Sequence, residues 1–259
     1  MKDLHRKYRQ EPVWNIEMNE SKNITPVAFF RSPFSSKFGV PRQSGVVEEL
    51  EGRIVFTREF AREEALRGLE GFDYLWLIWG FSGNEGKWSL TVRPPRLGGN
   101  KSVGVFASRS PFRPNGLGLS SAKIIDIDLN GPEGPAIIVA GADLMDGTPI
   151  YDIKPYVAYS DAHEGARSGF TDETAWHEAE VDFPEGLQQK FTALTRLCRK
   201  ADADKALTAL RKTLAQKPIP QYSHDPERIY GMPFMGCDVR FRVDRDCVIV
   251  IDIDTEIKR

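Results

Sequence analysis

Between Gly86 and Ile125 the chain contains no aspartate or glutamate. Over the same window Lys87, Arg93, Arg96, Lys101, Arg109, Arg113 and Lys123 supply seven positive charges, although the whole 259-residue chain carries a net charge of −2. That balance excludes a uniformly basic, histone-like binder, so any nucleic-acid contact must come from a patch. Cysteine is scarce: Cys198, Cys237 and Cys247 form no CxxC pair and no even framework, which reads as reduced thiols in a cytosolic protein. No apolar run reaches membrane-spanning length. Residues 1–22 lack the apolar core of a signal peptide and read as a solvated tail.

Several catalytic signatures are missing as well. No GxGxxG follows a strand to open a helix, and no P-loop is present, which argues against Rossmann-type nucleotide binding. GxSxG is absent, excluding an α/β-hydrolase elbow. His5, His163, His177 and His224 lie far apart with no metal-ligand spacing, so no metal site is expected. There is no internal repeat.

What is present reads first as strands. Asn23–Phe30, Arg53–Phe56, Phe72–Phe81, Trp88–Val92 and Ser102–Ala107 are short apolar runs between turn residues. KIIDIDL, the turn NGPEGP and AIIVAGADL predict a hairpin. Phe72–Phe81 is nearly continuous in aromatic and branched residues and predicts a strand buried on both faces. Ala61, Ala65, Leu66 and Leu69 make one helical stripe, closed by Gly68 or Gly71. Such a succession favours an all-β barrel or sandwich over residues 23–165. From Glu164 to Asp182 the composition shifts to Gly, Ser, Thr and acids, marking a boundary. Beyond it, Leu187, Phe191, Leu194 and Cys198, then Ala203, Leu207, Leu210 and Leu214, keep helical spacing. A final hairpin pairs Val239–Val243 with Cys247–Ile253, giving residues 166–259 as a small α+β module.

Three features could carry chemistry. The glycine-broken basic stretch Val92–Gly118 offers backbone N–H groups at Gly98–Gly99 and forked donors at Arg96, Arg109 and Arg113, suited to carboxylate or phosphate. Asp143-Leu144-Met145-Asp146-Gly147-Thr148-Pro149 places two carboxylates at a strand end, fit for an ammonium, ribose hydroxyls or Mg²⁺. Asp152-Ile153-Lys154-Pro155-Tyr156 sets an acid and a base beside an aromatic. Pro41 stiffens a loop that presents Arg42 and Gln43. Taken singly, each has an ordinary reading, since Asp-Gly is a common turn and a lone Arg is usually solvated.

Together, PRQ, VRPPRLGGN, GVFASRSPFRPNGLG and DLMDGTPIYDIKPY, in this order, closely resemble the TsaA-like family from roughly Asn23 to Ala162. The resemblance implies a β-barrel that binds S-adenosylmethionine (SAM), a homodimer with cofactor sites near the subunit interface, and methylation of N6 of threonylcarbamoyladenosine beside the tRNA anticodon. Carried over by position, the cofactor site takes Pro41, Arg42, Gln43, Phe81, Ser82, Arg109, Leu119, Gly141, Asp143, Leu144, Asp146, Gly147 and Thr148. The chain departs from the family at Ser82-Gly83-Asn84, where His is frequent, and at Lys217–Tyr222, KPIPQY in place of DPRPAY.

SAM presents a sulfonium, an ammonium, a carboxylate and an adenine, and these motifs contain the acids, arginines and apolar walls that such a ligand needs. Proton removal from the carbamoyl-bearing N6 calls for an acceptor, and Asp146 and Asp152 are the candidate catalytic groups. Arg93, Arg96, Lys101, Arg113, Lys154, Tyr156 and Tyr222 are the candidate RNA contacts for an anticodon stem-loop, with Phe112 or Tyr156 as a stacking surface for the target base. Two rival classes fit the same features: a non-catalytic RNA-binding module, and a hydrolase holding Mg²⁺ on Asp143 and Asp146.

Overall fold

The computed structural model describes residues 22–84, 86–98, 100–174, 177–199, 202–219 and 225–255. The chain is mainly β. Its first part runs β1 (Ala28–Arg31), β2 (Glu51–Phe56), the single turn α1 (Glu63–Leu66), β3 (Tyr74–Gly80), β4 (Thr91–Val92), β5 (Val103–Gly104), β6 (Leu117–Asp128), β7 (Ala136–Ala140), β8 (Pro149–Pro155) and α2 (Ala158–Asp161). Six of these strands hydrogen-bond in the closed order β1-β2-β7-β6-β3-β8, a barrel without a free edge. All six pairings are antiparallel.

Alternation decides which residues fill this ring. On β3, Leu75, Leu77 and Trp79 point into a core shared with Phe30, Ile54, Ala122, Ile137, Val139 and Ile150. Tyr74 is exposed, and Trp76 and Ile78 are half-buried. The strand is therefore not buried on both faces: a closed single sheet has one dry side, and the aromatic run is explained by contacts on the other. There Tyr156 packs on Tyr74 and Trp76, and the Trp76 indole donates to Asp161 at 2.9 Å.

Two expected elements shrink. The stripe Ala61–Leu69 yields only one α-helical turn, because Leu66 alone is buried and so short a helix has little packing to sustain it. Trp88–Val92 and Ser102–Ala107 pair over two residues each, Thr91 with Gly104 and Val92 with Val103. This β4–β5 arm leaves Trp88, Leu90 and Phe106 exposed.

The remainder comprises β9 (Glu180–Asp182), α3 (Glu185–Arg199), α4 (Ala203–Ala215), β10 (Tyr230–Phe234), β11 (Cys237–Asp244) and β12 (Cys247–Thr255). The helical break has a local cause, since the Asp202 carboxylate accepts from the Asp204 and Lys205 amides and caps α4. The strands order as β10-β11-β12-β9, with β9 parallel to β12. Of these strands only the β11–β12 hairpin was legible beforehand; β9 is three residues with two acids, and β10 is interrupted by Gly231 and Pro233. The core of this part takes in Phe34, Val47 and Leu50 from the β1–β2 loop. Met235 donates its amide to Pro33 O at 2.8 Å, and Lys205 and Lys212 pair with Glu51 and Glu49. Among the described residues no helix is long and apolar enough to cross a membrane.

Antiparallel closure also sorts the loops. β1, β3 and β7 end where β2, β6 and β8 begin, so the loops 32–50, 81–116 and 141–148 all leave the same end of the barrel. At that end β6 outruns β7: their pairing stops at Lys123–Ala140, while Leu117–Ala122 continue against β3 alone. Gly118 faces Trp79 there, and a Cβ at Gly118 would lie 2.3 Å from the indole. Gly118→Ala is expected to lower stability by about 1–3 kcal/mol through overpacking, read as a shift in the urea midpoint.

Candidate functional site

The long loops meet over the overhanging half of β6. From the β1–β2 loop, Pro41 is buried and stiffens the backbone that carries Arg42 and Gln43. The Gln43 amide is held at both ends: its Nε2 donates to Arg42 O at 2.5 Å, and its Oε1 accepts from Arg109 Nη1 at 2.6 Å. Arg109 comes from the β5–β6 loop, so this one bond joins two motifs 66 residues apart. From the β7–β8 loop comes Asp143. Gly141, at φ 73°, turns the chain off the end of β7, and its carbonyl accepts from the Gly45 amide at 2.8 Å. That bond ties the Asp143 loop to the Gln43 loop.

Asp143 is the site's half-buried carboxylate. Its Oδ1 accepts from the Ser120 hydroxyl at 2.6 Å, and Ser120 Oγ accepts from the Trp79 indole N–H at 3.0 Å. Burial pushes the Asp143 carboxyl above its ordinary range; Ser120, backbone amides including that of Ser44, and the charge of Arg109 pull it partly back. An acid held in this balance beside an arginine suits a ligand that brings its own positive charge. Trp79 and Ser120 were not among the expected site residues. The signal for Ser120 was available, since it is a polar residue at an inward position of β6, where an apolar one would serve a plain core.

The other expected residues divide. Phe81 packs edge-on against Trp79, ring centroids 4.4 Å apart, and donates its amide to Gly116 O. Ser82 is exposed on the same loop, which Asn84 ties to the 108–113 segment by donating to Pro111 O at 2.7 Å. Leu119 stands 56% exposed on the outer face of β6. Leu144 is core, and Thr148 is buried with its hydroxyl on Met145 O. Asp146 and Gly147 fasten the loop to its neighbour: Asp146 Oδ1 accepts from the Ser32 amide at 3.0 Å, and the Gly147 amide donates to Phe30 O at 2.8 Å.

Asp152 is placed apart from this gathering. It lies on the outer face of β8, exposed, 3.2 Å from Lys154, and its Oδ1 accepts the Ile153 amide. Register explains the separation, because β8 carries residues 149–155 away from the mouth. Lys154 and Tyr156 share that outer face, Tyr156 half-buried against Tyr74 and Trp76.

Arg113 also differs from expectation. Its Nη1 donates to Ser108 O at 3.2 Å and Ser110 O at 3.3 Å, so its guanidinium staples its own loop. Arg93 and Lys101 are exposed on the β4–β5 arm. Arg96 leans toward the Gln43 loop: partial burial first, then the charge of Arg96, lower the pKa of Arg42. Two guanidinium groups from separate loops thus face one region, an arrangement that an anion relieves. Tyr222 lies outside the described residues. Beside Arg42, a cavity of about 200 Å³ opens between Lys37–Arg42 and the end of α4, walled by Phe38, Val40, Pro218 and Ile219. Asp143 and Asp146 are engaged on different neighbours, and among the described residues no three His, Cys, Asp or Glu side chains gather as a metal site.

Comparison with known proteins agrees with this geometry. Residues 29–162 match the family described as the tRNA-methyltransferase O N-terminal domain, and residues 177–256 match the TrmO C-terminal domain. A tRNA (adenine(37)-N6)-methyltransferase of Escherichia coli is 35% identical over 221 residues, 84% of this chain and 91% of its own length. RcsF of Pseudomonas aeruginosa, whose name describes an S-adenosylmethionine-dependent methyltransferase, is 38% identical over 89% of this chain and 97% of its own. The crystal structure of TrmO from Pseudomonas aeruginosa superposes with a TM-score of 0.71 at 29% identity, over 90% of this chain and 99% of that one.

The raised Asp143 carboxyl has a consequence for stability without ligand. Over the interval above the ordinary carboxylate value, the folded state binds more protons than the unfolded chain, so stability falls as pH rises through it. Above that interval the loss is complete. Asp143→Asn removes the slope and is expected to gain on the order of 1 kcal/mol at pH 7, the gain vanishing toward pH 4, in urea titrations across that range.

Proposed function

From the premise that this chain belongs to the tRNA-methyltransferase O family, we propose that it is a SAM-dependent methyltransferase acting on adenine N6 in tRNA. The observation that carries the reading is the convergence of Gln43, Arg109 and Asp143 from three loops at one barrel mouth. Their chemistry fits SAM: an acid for its cationic groups, a guanidinium for its carboxylate, and Phe81 with Leu119 as apolar flanks. The cofactor supplies an activated methyl group. The protein's part is to hold the acceptor nitrogen in line with it and to keep water away.

The finer substrate is the threonylcarbamoyl form of the adenosine in the anticodon stem-loop. Its N6–H is acidified by the carbamoyl group, so a carboxylate acceptor at the mouth suffices. Asp146 is our candidate, since its loop borders Asp143; Asp152, on the outer wall, is not. The backbone of the RNA would meet Arg42, Arg96, Arg93 and Lys101. The apolar cavity rimmed by Lys37 and Arg42 suits a base splayed from its loop. We read the closed six-strand unit as the family's SAM-binding barrel, residues 166–259 as an α+β module, and the enzyme as cytoplasmic. The exposed Trp88, Leu90 and Phe106 are more apolar surface than a monomer ordinarily shows on one arm, and support a homodimer.

Nucleoside mass spectrometry of tRNA from cells with and without the protein tests the substrate. Loss of the extra methyl on threonylcarbamoyladenosine is the expected result. An unchanged profile, with stem-loop binding but no calorimetric response to SAM, would favour a non-catalytic RNA-binding module. With purified protein, Asp146→Asn should slow single-turnover methylation by about 10²-fold or more while Asp152→Asn stays near wild type. Phe106→Asp together with Leu90→Asp is expected to halve the mass seen by light scattering.

A further inference from the structure

Inside the barrel mouth three side chains from three separate segments form a single line of hydrogen bonds. The Trp79 indole N–H donates to Ser120 Oγ at 3.0 Å, and the Ser120 O–H donates to Asp143 Oδ1 at 2.6 Å. Trp79 and Ser120 are 8% and 2% exposed, so the bond between them is shielded from bulk water, while Asp143 is half-buried. The line crosses the place where β6 has lost β7 as a partner and the β7–β8 loop has taken over. Gly118 leaves the room in which the indole reaches Ser120.

The direction of the line matters. An indole only donates, so Trp79 fixes the Ser120 oxygen as an acceptor on that side. The Ser120 hydroxyl proton is thereby committed to Asp143. A hydroxyl oriented in this way favours the carboxylate over the carboxylic acid. We propose that Trp79 and Ser120 are positioning residues for cofactor binding, holding Asp143 in one rotamer and in its charged form, with its other lone pairs aimed at a cationic group of SAM. The inference rests on the SAM reading above but assigns work to two residues outside the motifs that suggested it. It also explains how an acid whose burial raises its proton affinity serves a positively charged ligand. The groups around Asp143 are otherwise few: Arg109 is the charged neighbour, and Ser44, Ser120 and Trp79 are neutral.

Removing the hydroxyl deletes one influence that holds the Asp143 pKa down, so the acid limb of SAM binding moves to higher pH. Calorimetric SAM titrations from pH 5 to 9 on the full-length chain test this. For Ser120→Ala the expected result is roughly tenfold weaker binding at pH 7 and an upward shift of the acid midpoint, with affinity recovering partly at alkaline pH. Ser120→Thr, which keeps a hydroxyl, should restore the wild-type profile. Trp79→Phe should give a smaller loss of the same pH form. Asp143→Asn should abolish the acid limb. Unchanged affinity and midpoint in Ser120→Ala would overturn the proposal. So would a loss of equal factor at every pH accompanied by a lower melting temperature, which is the mark of a merely structural contact. Absence of SAM binding in the wild type would instead overturn the cofactor reading, and the two failures are told apart by that control.

Discussion

Antiparallel closure of six strands is the constraint on which the rest depends. Because β1 pairs with both β2 and β8, no edge remains, and every strand direction in the ring is set. Directions fix loop ends. The three segments that carry PRQ, the acid-free stretch and DLMDGTP are then forced to one mouth, although they lie far apart in sequence. Chemistry that no single segment holds arises there: an amide from one, a guanidinium from another, a half-buried carboxylate from a third. Strand length matters as much as order. Had β7 run as far as β6, its ladder would cover Leu117–Ala122 and leave Asp143 no route to Ser120.

The mouth is not a free rim, because one of its loops has a second allegiance. Phe34, Val47 and Leu50 anchor the β1–β2 loop in the core of the C-terminal part, with Phe34 wholly buried against Phe234. Burying such apolar groups stabilises by several kcal/mol in sum, at roughly 1.5–3 kcal/mol for each large apolar side chain. The surface ion pairs nearby, Lys205 with Glu51 and Lys212 with Glu49, add little beside that and serve register instead. Residues 41–43 therefore hang between two packed bodies. Their geometry, and so the placement of Gln43 against Arg109, responds to changes in either body.

Much of this was legible in the residues. Short apolar runs between turn residues announced most barrel strands, alternation announced the β11–β12 hairpin, and helical spacing announced α3 and α4. The misreadings share a cause. Phe72–Phe81 looked doubly buried because its outward residues pack on side chains from distant segments, Tyr156 and Asp161 among them. The position of Arg113, a candidate RNA contact, was not legible because nothing local says that its fork closes on Ser108 and Ser110. Nor was that of Asp152, a candidate catalytic group, whose register on β8 turns it outward. Ser120 and Trp79 went unnoticed for the converse reason: serine in GLGLSS and tryptophan in an apolar run are ordinary until their pairing is known.

The acid-free window can now be read by position rather than by charge alone. Five of its seven cations stand in distinct settings. Arg109 is joined to Gln43, and Arg113 to its own loop. Arg96 leans toward Arg42, while Arg93 and Lys101 stay exposed on the β4–β5 arm. A single acid in that span could neutralise any of these by forming an ion pair within the loop, and each such pair would cost an anionic ligand one contact. The absence of Asp and Glu from Gly86 to Ile125 thus concentrates positive charge there without making the protein basic as a whole. On the neighbouring 141–148 loop, Asp143 accepts from Ser120 and is balanced by Arg109. An acid-free loop beside one that carries Asp143 lets a single barrel mouth offer both signs of charge.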